Sequence, residues 1–569
     1  MAFDGIVTNR IVNELKNIIG YKVDKVFQPN KNTVILGLYK ASTSLALLSC
    51  ISSNNYRLHL TTHQFKNPTT APNFCMLLRK HLTGLKIKDI YTTQNLERIV
   101  FIDFENNENP NKPIQKKLII ELMGKHSNMI LTNENNIIID SLRHTYMEEH
   151  SQRDIYPTCR YILPQTSKFN LLDIKTPEEF YNVISNSDYS LPQNITNAFN
   201  GISNSFVESL SSMTDQFKEN IFLIYHKIFK ILNSDDLCFT HQNKDYVLSL
   251  SDPTDKIYNL NFFLDDFYYQ KETNENFITL KNNIYNIVIN TQKKYTKRLE
   301  NINKKLSECN DMDKFKLYGE LITSNLYRIP NKHINNISLE NYYDNNSLID
   351  IPLNEKYSPS YNAKQYFKKY SKLKNALDIL NNQKIETLKD LNYIDSVLFE
   401  LENSSNLNEL NLINDEISDS NNINIFSTSN KYNKKSLKNK KSSHKFLSKS
   451  SPSYFNPIFL MVEDYKVYVG RNNKENDYLT LKYANKSDIW FHTKDFHGSH
   501  TILKIDNNLP FPNDNVLVEA AKITAQHSKA KNSSNVPVDY CEVKYVKKPS
   551  GSKPGMVIYS NNKTLNVNP

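Results

Sequence analysis

Along residues 1–165, apolar and polar positions alternate in short bursts of period two, interrupted by two stretches of helical period. Thr8 can cap a helix that runs to about residue 19, where Gly20 ends it. Strands are predicted over 23–28 and 33–38, a helix over 73–82 that stops before Gly84, then strands over 99–104, 117–121 and 129–131. The Asn133-Glu-Asn135 turn leads to a strand over 137–140. This pattern predicts an α+β domain built mainly on antiparallel hairpins.

Residues 166–280 read as a small helical domain. Within it, Ile195-Thr-Asn-Ala-Phe199-Asn-Gly201-Ile202-Ser203, followed by Phe206 and Leu210, resembles a helix-hairpin-helix. Such an element offers backbone N–H groups to a phosphate. Ser203 stands where a second glycine is usual, and an ordinary packing corner fits the same residues.

The period then changes to 3.5. Apolar residues at 288, 295, 299, 302, 306 and 309 form one seam. A second runs through Tyr366, Tyr370, Leu373, Leu377 and Leu380, and resumes at Leu391, Ile394, Leu398 and Leu401. Two long amphipathic helices over 281–403, separated by a loop-rich stretch at 330–358, predict an antiparallel coiled-coil arm; a helical bundle packed on its neighbours is the alternative. Residues 404–452 are Asn- and Ser-rich without apolar period and predict a disordered linker whose basic half is either a tether or an RNA contact. Residues 453–569 predict a last α+β domain, with strands at 459–462, 466–469, 490–493 and 501–505, a helix over 516–528, and strands at 538–545, 556–560 and 564–567. The fold class is thus multidomain α+β.

The formal net charge is +10, with 39% hydrophobic and 23% charged residues, as expected of a soluble chain with polyanionic partners. Much of the excess is local, since residues 431–449 hold eight Lys and no acid. Six scattered Cys with no CxxC pair argue against a disulfide scaffold or a structural zinc site and fit a reducing cytosol. The N-terminus shows no secretory signal, and no apolar run reaches membrane-spanning length.

Candidate chemistry concentrates in Val469-Gly-Arg471-Asn472-Asn473 and in Asp488-Ile-Trp490-Phe-His492-Thr-Lys494-Asp-Phe-His497-Gly-Ser-His500, which contains the only Trp. Cations, amides and imidazoles interleaved with aromatics suit a surface that grips phosphates and stacks bases. The spacings of His492, His497 and His500 fit no common metal site. No Walker loop, GxSxG elbow or HExxH occurs, and no nucleophile stands beside a base, so neither enzyme, cofactor nor metal is expected. The loop Val546-Lys547-Lys548-Pro-Ser-Gly-Ser-Lys553-Pro-Gly555 presents three point charges to phosphates, or is simply a solvated hairpin. Lys125 and His126 sit on a turn, and Arg79 and Lys80 end a helix, where they also complement its dipole. Glu97-Arg98 precedes a strand; an exposed ion pair is its plainest reading.

Several motifs together carry a family resemblance. The opening Met-Ala-Phe-Asp-Gly, Asn73-Phe-Cys-Met-Leu-Leu-Arg-Lys-His81 and Glu121-Leu-Met-Gly-Lys-His-Ser-Asn128 resemble the NFACT N-terminal domain. Val469-Gly-Arg-Asn-Asn473, Asp488-Ile-Trp-Phe-His492, Gly498-Ser-His500 and Val546-Lys-Lys-Pro549 resemble the NFACT RNA-binding domain. The chain is similar throughout to the bacterial RqcH-type group of this family, also labelled fibronectin-binding protein A homologues.

That resemblance implies ribosome-associated quality control in the cytoplasm. The partners it implies are the large ribosomal subunit (rRNA and proteins), peptidyl-tRNA, alanyl-tRNA and the RqcP partner protein. The ribosome would make the peptide bonds of a C-terminal alanine tail while the protein positions tRNA. It implies tRNA binding by Glu97, Arg98, Arg79, Lys80, Lys125 and His126. It implies RNA binding by Arg471, Asn472, Asn473, Trp490, His492, Lys494, His500, Lys547, Lys548 and Lys553. The chain departs from the family's Asp-Arg pair at Glu97, whose carboxylate sits one methylene further out. The N-terminal domain also resembles the fold of formamidopyrimidine-type glycosylases, but residue 2 is Ala, followed by Phe3, where those carry an N-terminal Pro nucleophile, so base excision is not expected. A fibronectin adhesin is the alternative, with fibronectin a secondary partner; Leu163-Pro-Gln-Thr-Ser167 only approaches a sortase motif and is internal.

Overall fold

A computed structural model describes residues 3–106, 114–146, 153–184, 190–210, 217–234, 237–242, 245–250, 259–330, 334–418, 455–506 and 509–569. The basic run at 431–449 lies outside them. The chain divides into two compact units, residues 1–272 and 273–569.

Unit one is organised by a nine-stranded antiparallel sheet. Helix α1 (Gly5–Leu15) precedes strands β1 (Lys22–Asn30), β2 (Thr33–Lys40), β3 (Thr43–Cys50) and β4 (Arg57–Leu60). Helix α2 (Asn73–Leu82) leads to β5 (Lys86–Thr92), β6 (Ile99–Asn106), β7 (Ile114–Glu121), β8 (Asn128–Asn133) and β9 (Ile138–Ser141). The strand order is β4-β3-β2-β1-β5-β6-β7-β8-β9. Strands β6 to β8 are apolar on both faces. Val100, Ile102, Leu118, Ile120, Met129 and Leu131 join the main core with the stripe Ile6, Val7, Ile11 and Leu15 of α1. Ile99, Phe101, Ile119 and Ile130 face a smaller cluster closed by Ile155. Arg143, just past β9, donates to Asn32 Oδ1 and Ile51 O, both at 3.0 Å, and so ties the end of the sheet to the loops after β1 and β3.

The cap of α1 differs from expectation. Asp4, not Thr8, is the N-cap, its Oδ1 accepting the Val7 N–H at 3.1 Å, while Thr8 is buried inside the helix. The unit continues with α3 (Pro177–Ile184), α4 (Leu191–Ala198), α5 (Asn204–Leu210) and α6 (Phe217–Asn233), the hairpin β10 (Leu237–Gln242) and β11 (Asp245–Leu250), and the first turns of α7 (Leu260–Cys309). The hairpin and the early start of α7 both fall where only a helical domain up to residue 280 is expected. Buried Arg57 fixes those first turns through Glu272 at 2.6 Å.

In unit two, α7 runs antiparallel to α9 (Pro359–Asn403): Lys281 Nζ donates to Glu402 O (3.1 Å) and Gln292 Nε2 to Asp395 Oδ1 (2.6 Å). Ile284, Val288 and Tyr295 pack with Tyr393, Ile394, Val397 and Leu401; further along, Ile302 and Cys309 meet Leu380. The stretch expected to be loop-rich is built: α8 (Met312–Ser324) and the hairpin β12 (Asn336–Asn341) and β13 (Ser347–Pro352) share a core through Leu321, Ile322, Leu339 and Ile351.

The expected disorder from residue 404 is corrected at its start. Helix α10 (Leu407–Ile417) is capped by Asn406, which accepts from Glu409 N at 3.0 Å, and it buries Leu410, Ile413 and Ile417 against α7 and α9. Those three apolar positions suffice because a ready-made groove receives them.

The last domain has a six-stranded antiparallel sheet in the order β14-β15-β17-β16-β18-β21: β14 (Ile458–Val462), β15 (Tyr465–Val469), β16 (Ile489–Thr493), β17 (Thr501–Leu503), β18 (Val536–Glu542) and β21 (Lys563–Val567). A two-stranded flap, β19 (Val546–Lys547) and β20 (Ile558–Tyr559), and a short helix α11 (Asn473–Tyr478) cover one face. Helix α12 (Asp514–Gln526) covers the other, burying Val516, Leu517, Ala520 and Ala521.

Candidate nucleic-acid interface

In unit one, three backbone segments converge beside Glu97 and Arg98. The Gly5 N–H donates to Gly201 O at 2.9 Å. A Cβ on Gly5 would lie 1.9 Å from Leu96 O, and one on Gly201, at φ 75°, 2.3 Å from the same oxygen, so neither position accepts a side chain. Leu96 itself is left-handed, at φ 55°. Ser203, the residue at the usual glycine position, ties the turn to α1: its hydroxyl donates to Asp4 Oδ2 at 3.0 Å.

These segments line a cavity of about 480 Å³ that includes Asp4, Glu97, Arg98, Gln165, Lys168 and Asn200. Burial raises the Asp4 carboxyl to about 6, although the Val7 and Ser203 hydrogen bonds and nearby Arg98 oppose the shift. Burial also raises Glu97; Asn95, Arg153 and Thr93 counteract it, and the Glu121 charge adds to it. Arg98 donates to Tyr56 Oη at 2.8 Å. Lys168 Nζ donates to Thr196 O at 2.6 Å, and its pKa is lowered by burial and by Arg98. Two cations crowded in one cleft favour an anion between them, because it would relieve that repulsion. Pro164, Gln165 and Thr166, the core of the sortase-like stretch, are walls of this cleft.

The other expected tRNA contacts lie elsewhere in the unit and do not line the cleft. Arg79 and Lys80 are exposed on α2, with Arg79 Nε donating to Val26 O at 2.9 Å. Lys125 and His126 are exposed on a turn held by Arg143, which donates to Lys125 O and Ser127 O. Their neighbour Glu121 is fully buried, paired with Arg153 at 2.8 and 3.0 Å and accepting from Tyr161 Oη at 2.8 Å. That network anchors the segment leading to residues 164–168. Lys168, Asp4 and Tyr56 were missed from sequence: Lys168 sits in no motif, whereas Asp-Gly ahead of an apolar helix was a readable cap signal.

In unit two, the expectation of a surface is corrected. Trp490 is 0% exposed and His500 2%, and Asn472 and Asn473 are buried. Strand alternation sends Ile489 and Phe491 toward α12 and Trp490 and His492 to the opposite face. There Trp490 stacks on His492 (centroids 5.7 Å apart, 8° between planes) and lies 4.7 Å from Tyr559 of the flap. His500 Nδ1 shares a 2.8 Å hydrogen bond with Thr480 Oγ1. Burial holds His492 at about 4 and His500 at about 3, so both rings are neutral near pH 7.

Asn472 caps α11 by accepting from Glu475 N (2.9 Å), while the Glu475 carboxylate reaches back to the residue before the cap and accepts from Arg471 N (3.0 Å). Arg471 pairs with Glu409 at 3.3 Å, and Asn473 Nδ2 donates to Ser396 Oγ and Glu416 Oε1, both at 3.3 Å. Lys548 is bound to Asp477, and Lys553 lies over the Tyr393 ring at 5.7 Å. Lys494 and Lys547 are exposed. Among the described residues, no group of three or more His, Cys, Asp or Glu could hold a metal ion, and no helix is long and apolar enough to cross a membrane.

The model of the NFACT N-terminal and middle domains matches residues 4–439, and that of the NFACT protein RNA binding domain matches residues 453–561. The chain belongs to the NFACT family. It is 31% identical to the Rqc2 homolog RqcH of Bacillus subtilis (strain 168) over 592 residues, covering 100% of this chain and 98% of that protein. It is 30% identical to the Rqc2 homolog RqcH of Streptococcus pneumoniae serotype 2 over 572 residues, with the same coverage. The crystal structure of the fibrinogen binding protein from Staphylococcus aureus is 27% identical, covering 47% of this chain and 99% of its own, at a TM-score of 0.40. The Arg98 cleft therefore belongs to the NFACT N-terminal and middle part, and Trp490 to the NFACT RNA-binding domain.

Proposed function

We propose that this protein is a ribosome-associated quality control factor acting in the cytoplasm. It binds large ribosomal subunits that carry stalled peptidyl-tRNA and recruits alanyl-tRNA for C-terminal alanine tailing without mRNA. It is an adaptor and not an enzyme: the ribosome makes the peptide bonds. The observation that carries this reading is end-to-end similarity to RqcH proteins, at 31% identity over 100% of the chain. The cleft around Arg98 supports it physically, because Arg98 and Lys168 crowd together where a tRNA phosphate would be welcome. The antiparallel α7 and α9 serve as an arm that extends along the subunit.

Arg98→Ala is expected to abolish tail addition in stalled cells while large-subunit binding stays near the wild-type level. Both are read from the purified tagged protein, by sequencing its bound RNA and by detecting alanine tails on stalled chains. Equal loss of tailing and subunit binding would make Arg98 structural. Recovery of no ribosomal RNA would overturn the function.

A further inference from the structure

The buried motif residues of the RNA-binding domain form one wall of a cavity in unit two. Its volume is about 820 Å³, within the range of small-molecule sites. Helix α9 supplies the facing wall through Tyr393 and Glu400. Three polar atoms of lining residues are buried without a hydrogen-bond partner: Trp490 Nε1, Glu400 Oε2 and Arg471 Nε. Trp490 and Glu400 are side chains more than nine-tenths buried. A buried polar group left without its bond is destabilising, and several in one cavity indicate a ligand that completes them.

We propose that this cavity accepts an unpaired nucleobase of the bound RNA. Flat rings surround it: Phe496 is 41% exposed, with Tyr559, His492 and His497 also in the lining. An indole N–H and a carboxyl provide the donor and acceptor that read a base edge. At the Glu400 end a phosphate fits poorly, because Glu400 and Glu416 stand close together; the lining cations lie elsewhere, Arg471 paired with Glu409 and Lys531 donating to Asn403 Oδ1 at 3.3 Å. Burial and the neighbouring Glu416 charge push the Glu400 carboxyl well up, toward its neutral form, which suits an uncharged ligand. The inference rests on the RNA-binding reading and adds to it which part of the RNA enters, and where.

Trp490 is the only tryptophan, so intrinsic tryptophan fluorescence of the full chain reports this cavity alone. The chain is titrated with an unpaired oligoribonucleotide and, separately, with duplex RNA, while filter retention records total binding. Saturable quenching by the unpaired oligomer and none by the duplex is the expected result. Phe496→Ala, at an exposed ring, is expected to weaken the quenching affinity on the order of tenfold, and Glu400→Leu to weaken it as well. Retention of the oligomer without quenching, equal quenching by duplex, or an unchanged affinity in Phe496→Ala overturns the base site and leaves RNA binding standing. Absence of retention for both RNAs overturns the RNA-binding reading along with it.

Discussion

The Arg98 cleft and the Trp490 cavity draw on the same residue types and use them in opposite ways. In the cleft, glycines bring three backbones into contact, and charged side chains stand around the opening they leave. In the cavity, motif residues are themselves the architecture: Asn472 caps a helix, Asn473 bridges to α9 and α10, and His500 is bonded to Thr480. A polar motif is therefore no guide to exposure. What separates the two cases is whether the backbone or the side chains make the close contacts.

The largest test of that difference is Gly201→Ala. The new methyl would meet Leu96 O at 2.3 Å with φ at 75°, and backbone cannot yield as a side chain can. We expect a loss of about 3–5 kcal/mol, seen as a lowered melting temperature, together with loss of the proposed tRNA binding. Gly551→Ala in the flap loop has a similar φ of 74° but nothing within 4 Å, and should cost only about 1 kcal/mol. Equal costs would mean that close approach is not what shapes the cleft.

Asp4→Asn probes the same junction through pH. The Asp4 carboxyl is raised from 3.8 to about 6 by burial, so the folded chain holds that proton more tightly than the unfolded chain. Its contribution to stability is thus complete below about pH 4 and is lost as pH rises through 6. Asn caps a helix about as well as Asp but does not titrate. The variant should match wild type near pH 4 and exceed it by about 2 kcal/mol at pH 7.5, as measured by chemical unfolding at both values. A constant difference across that range would show that Asp4 is ionised at no cost, through a stronger pairing with Arg98.

What the sequence made legible follows from where its information is local. Strands β6 to β8 were readable because Ile, Val and Leu fill both faces, and α2 because its apolar spacing and the following Gly84 agree. Helix α10 was hidden: its buried residues, Leu410, Ile413 and Ile417, lie in an Asn-rich stretch that becomes a helix only when α7 and α9 are there to receive them. The burial of Trp490 was equally out of reach, since its cover comes from Val546 and Tyr559, more than fifty residues on. Glu97 and Arg98 could be named by resemblance, but Lys168 joins them only through the fold.

The smallest expected effects separate two adjacent lysines that look interchangeable in the sequence. Lys547 is exposed, and a phosphate contact there would release counterions when formed. Lys547→Ala should therefore lower the salt slope of RNA binding by about 0.7–0.9 and leave the melting temperature unchanged. Lys548 is already neutralised by Asp477, whose other oxygen accepts from Gly555 N at 3.1 Å, so it helps hold the flap loop against α11. Lys548→Ala should leave the salt slope nearly unchanged and cost about 1 kcal/mol of stability, a small figure because the pair is partly exposed. If the two variants change the salt slope equally, Lys548 leaves Asp477 to meet RNA, and the RNA-binding domain uses its charges as the Arg98 cleft does.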